Sequence, residues 1–175
     1  PDTRSTLSSR LFALSQAHDV LVQENWAGAE LHVVVEQAFA PHRRPGHDVF
    51  EVDGPPVRLS PQQAVSLSLT LHELATNALK YGALSNSEGK VQVTWNTALD
   101  GTGARHLTLL WTESGGPPVR PPVQTGFGTR LIARTFSFES GGCARLDFQP
   151  QGLRCVMKMP LSSQAEKPML DPTRG

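Results

Sequence analysis

The chain has little cysteine, no net charge and no long apolar run, and each shortage removes a class of function. Cys143 and Cys155 are its only cysteines, too few for a disulfide framework and without the companions a zinc site needs. Lys plus Arg and Asp plus Glu each total 16, so the formal net charge is +0. Binding nucleic acid or an anionic membrane through bulk charge calls for an excess of positive charge. No apolar run approaches the ~20 residues needed to cross a bilayer. The first residues, Pro1-Asp2-Thr3-Arg4, lack the apolar segment of a signal peptide. The expectation is a reduced, cytoplasmic setting, with no nucleic-acid partner and no membrane segment. What is present, 175 residues at 38% hydrophobic content with no internal repeat, suits one domain of ordinary size plus an attachment.

Residues 3–24 read as one long helix. Leu7, Leu11, Leu14, His18 and Leu21 alternate spacings of four and three, a heptad rhythm that wants a partner helix or a dimer, with His18 expected as a packed seam residue. Asn25-Trp26-Ala27-Gly28 breaks the pattern, residues 29–40 resume as a short helix before Pro41, and 41–46 form a turn. Residues 48–53 alternate as a short strand ahead of Gly54-Pro55-Pro56. Ser60 followed by Pro61 is a cap and first-turn pair, and the helix it opens ends at Gly82. On that helix Leu67, Leu71, Leu74, Ala78 and Tyr81 form an apolar stripe that must bury against a core.

Residues 90–97 and 106–113 alternate as strands, with Val91, Val93 and Trp95 on one face of the first and Leu107, Leu109, Trp111 and Glu113 on one face of the second. Asp100-Gly101-Thr102-Gly103 joins them. Residues 114–125 are too rich in Gly and Pro for regular structure; a helix follows over 128–140, then strands near 143–149 and 153–159. This order predicts an α+β fold: a two-layer α/β sandwich with a mixed, mostly antiparallel sheet covered on one face by helices, preceded by the long N-terminal helix.

Glu73, Asn77 and Lys80 form a second stripe on the helix that Pro61 opens, roughly 100° from the apolar one. Taken alone it reads as solvated surface carrying a weak Glu–Lys pair. The same three groups can also bind a metal–polyphosphate: Asn offers Mg²⁺ a neutral oxygen, Lys offers phosphate a charge, and Glu can orient or deprotonate a nucleophile. Glu113 ends a strand on its core-facing side, so its carboxylate either reaches water or needs buried donors, for which an adenine amino group would serve. Gly115-Gly116 follows it, allowing backbone to approach a flat ligand. Gly126-Phe127-Gly128-Thr129-Arg130 precedes a helix, where free N–H groups can cradle phosphate and Arg130 can add a contact.

Each signal is weak singly; their order and spacing are specific together. Glu73-x-x-x-Asn77-x-x-Lys80-Tyr81 resembles the N-box of histidine-kinase-type ATP-binding domains. Glu113-x-Gly115-Gly116 resembles the adenine-binding G1 box, with Glu where most such kinases have Asp, and Gly126-Phe127-Gly128 resembles the G2 box. His72 ahead of Glu73, and Trp111-Thr112-Glu113, are the marks of the HWE family of sensor histidine kinases. Residues 11–19 resemble that family's second dimerisation helix, and the resemblance runs from about residue 4 to residue 160.

The resemblance implies a GHKL (Bergerat) fold that binds ATP and Mg²⁺. In it Asn77 ligates the metal, with Glu73 a second candidate ligand, Glu113 takes the adenine amino group, Lys80 and Tyr81 lie by the nucleotide, and Gly126 and Gly128 hinge a short lid over 114–125. Glu73 orients or activates the phosphoryl acceptor. His72, grouped with the catalytic residues, projects away from the phosphates and reads as a structural brace. None of His18, His32, His42, His47, His72 and His106 has the setting of a phosphoacceptor. The expectation is therefore residues 1–25 as the second helix of a dimerisation hairpin, 26–161 as the catalytic ATP-binding domain and 162–175 as a disordered tail. The implied partners are an absent acceptor helix and sensory domain, a response regulator and a second copy in a homodimer. A non-catalytic nucleotide-binding module and a simple GHKL ATPase are the alternatives.

Overall fold

The computed structural model describes residues 2–23, 27–43, 46, 48–119, 136 and 141–161. Helix α1 (Asp2–Gln23) leads to a short strand β1 (Ala29–Glu30), helix α2 (Leu31–Phe39) and a 3-10 turn at Ala40–His42. Strands β2 (Phe50–Asp53) and β3 (Arg58–Leu59) precede helix α3 (Pro61–Lys80) and a second 3-10 turn at Ala83–Ser85. The hairpin of β4 (Lys90–Leu99) and β5 (Arg105–Ser114) and that of β6 (Cys143–Gln149) and β7 (Gly152–Pro160) complete the described elements. The main sheet runs β2-β4-β5-β7-β6, while β1 and β3 pair separately. Only β2 against β4 is parallel; the other three pairings of that sheet are antiparallel. This is the mixed, mostly antiparallel sheet expected from the strand patterns, with helices on one face.

Two of the differences from the sequence expectation concern α2 and α3. Residues 29 and 30 are strand rather than helix, because Ala29 pairs with Leu59 and Glu30 with Arg58. Tyr81 does not join the buried stripe: α3 stops at Lys80, Tyr81 adopts a non-helical φ of −134°, and its side chain is 76% exposed. The helical period cannot place a residue beyond the helix. The expected helix over 128–140, Phe136 excepted, and the tail 162–175 lie outside the described residues.

The core lies between α2, α3 and the inward faces of the strands. Leu67, Leu71, Leu74 and Ala78 of α3 are fully buried, as are Leu31 and Phe39 of α2, Val91 and Val93 of β4, and Leu107, Leu109 and Trp111 of β5. A Leu side chain contributes about 1.5–3 kcal/mol when so buried. A capping box starts α3: Ser60 Oγ accepts from the Gln63 amide at 3.3 Å while the Gln63 side chain accepts from the Ser60 amide at 3.1 Å.

Helix α1 lies against the other two helices through Ala13 and Ala17, both buried, with Arg10 half-buried beside them. Small side chains at i and i+4 let helices approach closely. Leu7, Leu11 and Leu14 point elsewhere, being 60%, 59% and 46% exposed. His18 lies on the same uncovered face, its side chain exposed and 3.9 Å from Asp19, as a seam residue does where the partner helix is not part of the chain. No helix among the described residues is long and apolar enough to cross a membrane.

Candidate functional site

The end of α3 and the end of β5 meet. The carbonyl of Asn77 accepts from the amides of Tyr81 at 2.8 Å and Gly82 at 3.1 Å, closing the last turn. The next amide, that of Ala83, donates to Glu113 Oε2 at 2.9 Å. Two consecutive N–H groups therefore tie Asn77 to Glu113. Gly82 is needed where the chain turns, since a Cβ there would sit 2.2 Å from Glu113 Oε2.

Glu113 faces the core as its strand alternation requires and is only 4% exposed. It sits opposite Val91 and two residues from Trp111 on the same face. The Trp111 indole N–H donates to Glu113 Oε1 at 3.0 Å. Among the described residues each oxygen thus has one protein donor, and a carboxylate oxygen has a second lone pair to offer. Burial pushes the Glu113 carboxyl above the ordinary carboxylate value, while the hydrogen bonds from Ala83 and Trp111 pull it the other way.

The glycines after β5 serve the protein's own backbone. Gly115 has φ +71°, and a Cβ on it would lie 2.6 Å from the Glu88 carbonyl; one on Gly116 would lie 2.4 Å from Ala83 Cα. Asn86 holds this crossing together, donating from Nδ2 to the Gly115 carbonyl at 3.1 Å and accepting from the Gly89 amide at 2.9 Å. Among the expected site residues, Lys80 and Tyr81 are exposed and Asn77 is half-buried on the polar face of α3. Glu73, one turn before Asn77, accepts from Arg10 Nε of α1 at 3.0 Å, and its side chain is 12% exposed. Gly126, Phe127, Gly128, Thr129 and Arg130 lie outside the described residues.

His72 is buried, its ring 5.4 Å from that of His42 at the end of the 3-10 turn after α2. Burial and the neighbouring His72 push the His42 imidazole down to about 4. Burial also lowers His72, against the opposing charge of Glu73. His72 thus packs against the 3-10 turn after α2, roughly 140° around α3 from Asn77. No cluster of three or more His, Cys, Asp or Glu side chains suited to a metal occurs among the described residues.

Sequence reasoning missed Gly82, the Ala83 amide, Asn86 and the indole of Trp111. Trp111 alone had a usable signal: at i−2 on one strand face, its side chain neighbours Glu113. The others depend on the path of the chain after α3.

The model of the family described as HWE histidine kinase matches residues 1–56. A blue-light-activated histidine kinase of Brucella anthropi is 42% identical over 172 residues, covering 98% of this chain and 35% of that protein. Its counterpart in Brucella ovis is 39% identical over 157 residues, 90% of this chain and 32% of that protein. The chain spans about a third of the length of these curated relatives. Among solved structures, the histidine kinase domain of the Erythrobacter litoralis blue-light activated histidine kinase superposes with a TM-score of 0.66 at 19% identity, over 91% of this chain and 76% of that one. The catalytic domain of the histidine kinase ThkA gives a TM-score of 0.54 at 16% identity, over 75% and 94%. At these identities the structural likeness is one of fold.

Proposed function

This chain belongs to the HWE histidine kinase family, and we propose that it is the catalytic, ATP-binding region of a sensor histidine kinase, transferring the γ-phosphoryl of ATP to a histidine outside the sequence in hand. The observation that carries the reading is the buried Glu113 carboxylate, held by two donors at the end of the helix that bears Asn77. A carboxylate with a spare lone pair on each oxygen receives the adenine amino group. Lys80, exposed in the last turn of α3, supplies a flexible ammonium for phosphate on this reading.

Mg²⁺ keeps several waters and takes few protein ligands when it is shared with phosphates. The half-buried amide of Asn77 fits that need, and the lack of an acidic cluster among the described residues is compatible with it. When bound, the ion offsets the charge of the transferring phosphoryl group. Glu73 orients the acceptor imidazole and takes its proton. Catalysis is then positioning and charge stabilisation. On this reading residues 1–25 are the second helix of a dimerisation hairpin and 26–161 the catalytic domain. The whole protein is a cytoplasmic homodimer that passes its phosphoryl group to a response regulator.

The test is incubation with labelled Mg·ATP and a separately supplied acceptor-helix fragment. Phosphohistidine on the fragment is the expected outcome. Free phosphate alone makes the chain a simple ATPase, and absence of nucleotide binding at millimolar Mg·ATP makes it a non-catalytic module.

A further inference from the structure

The strand face that ends in Glu113 begins with Leu107 and Leu109, both fully buried. Filling the core at position 111 asks only for another apolar side chain. Trp111 brings something the core does not use, a donor-only N–H, and aims it at Glu113 Oε1. The ring has little freedom to do otherwise. It is fully buried, in register between Val93 and Cys155, and set edge-on to Phe39 with centroids 5.8 Å apart. The second oxygen is held by the Ala83 amide, and the missing Cβ of Gly82 leaves room for that oxygen alone.

We propose that Trp111 is a positioning residue for nucleotide selection: its indole N–H, with the Ala83 amide, keeps Glu113 an acceptor on both oxygens, so the site takes a purine that presents a donor and rejects one that presents an acceptor. The proposal rests on the ATP reading above. Adenine offers an amino group where guanine offers a carbonyl oxygen. An ionised carboxylate accepts only, and so separates the two; a protonated carboxyl can donate, and so loses the distinction. A carboxylate this deeply buried protonates readily unless donors hold it. Losing the indole N–H therefore moves Glu113 toward the form that does not discriminate.

The experiment compares Mg·ATP and Mg·GTP binding by calorimetry for the whole chain and for Trp111→Phe. A hydrogen bond to a charged group sets the scale of the loss at roughly ten-fold or more. ATP affinity of the variant should fall by that much while GTP affinity does not fall. On acidification, ATP binding should be lost at a higher pH than in the parent chain. An unchanged ATP-to-GTP ratio, or an equal loss of both, would make Trp111 a core filler and overturn the proposal.

Should the variant fail to fold, the parent chain supplies its own readout. With Trp26 and Trp95 replaced by Phe, the remaining indole N–H resonance should shift with the titration of Glu113 and on addition of ATP. A resonance blind to both overturns the proposal equally. A parent chain that binds neither nucleotide removes the ATP reading itself, a result distinct from ATP binding that is indifferent to Trp111.

Discussion

Arg10 Nε and Glu73 Oε1 lie 3.0 Å apart, joining the leading helix to the one acidic side chain of α3. Both side chains are largely withdrawn from water, at 23% and 12% exposure. Pairs of this kind are costly to break from one side, because the survivor keeps its desolvation cost.

Arg10→Ala should therefore destabilise the chain by about 1 kcal/mol, between the value of an exposed pair and that of a fully buried one. Adding Glu73→Gln to it should recover much of the loss, since no charge is then left unpartnered. Urea unfolding of the two single variants and the double variant measures the coupling, and strict additivity would count against the pair.

Asn77 lies off the buried stripe of α3, so its removal should spare the fold. Asn77→Ala is expected to abolish Mg²⁺-dependent ATP binding while leaving the melting temperature within a degree or two of the parent, since surface changes cost under about 0.5 kcal/mol. Calorimetry with and without a chelator separates the metal-dependent part.

Gly82→Ala places a methyl group 2.2 Å from Glu113 Oε2. Overpacking of this kind costs about 1–3 kcal/mol, and here it also displaces the carboxylate, so ATP affinity should fall with stability. Gly101→Ala, where nothing lies within 4 Å of the added Cβ, is the control expected to change neither. Denaturant unfolding and ATP titration of both variants check the contrast.

The histidine pair predicts a pH dependence. His42 sits at about 4 in the folded chain against 6.5 ordinarily, so below pH 6.5 the unfolded chain binds a proton that the folded one refuses. Stability is full above that pH and falls as pH drops from 6.5 toward 4. His42→Phe should flatten the fall. Glu113 works with the opposite sign, its raised value favouring the folded chain as it protonates, but it is common to both proteins and cancels in the difference. Urea midpoints between pH 4 and 7 provide the measurement, and parallel curves would contradict it.

The layered fold could be read from periodicity because burial imposes it residue by residue. Val91, Val93 and Trp95 alternate inward as strand geometry demands, and Ser60-Pro61 opens α3 because cap chemistry is local. The same local logic put Glu113 on the core-facing side of its strand, and the structure buries it there. It did not identify the donors that hold Glu113, since the Ala83 amide arrives through a turn whose direction no local pattern encodes. Tyr81 falls outside the buried stripe because the helical period was extended one residue too far, while the heptad of α1 identifies an apolar face without saying which neighbour covers it. Gly115 and Gly116 were visible as permissive backbone, but their close neighbours, Glu88 and Ala83, are long-range.

The adjacent amides of Gly82 and Ala83 bind Asn77 at one end and Glu113 at the other, leaving no slack between them. The segment from Asn77 to Ala83 behaves as a strut of fixed length. One residue inserted there would swing the Ala83 amide off Glu113 even with every side chain intact. For anyone moving this site to another scaffold, the tip of α3 and the strand end from Trp111 to Gly116 form a single transplantable piece, and neither half is useful without the other.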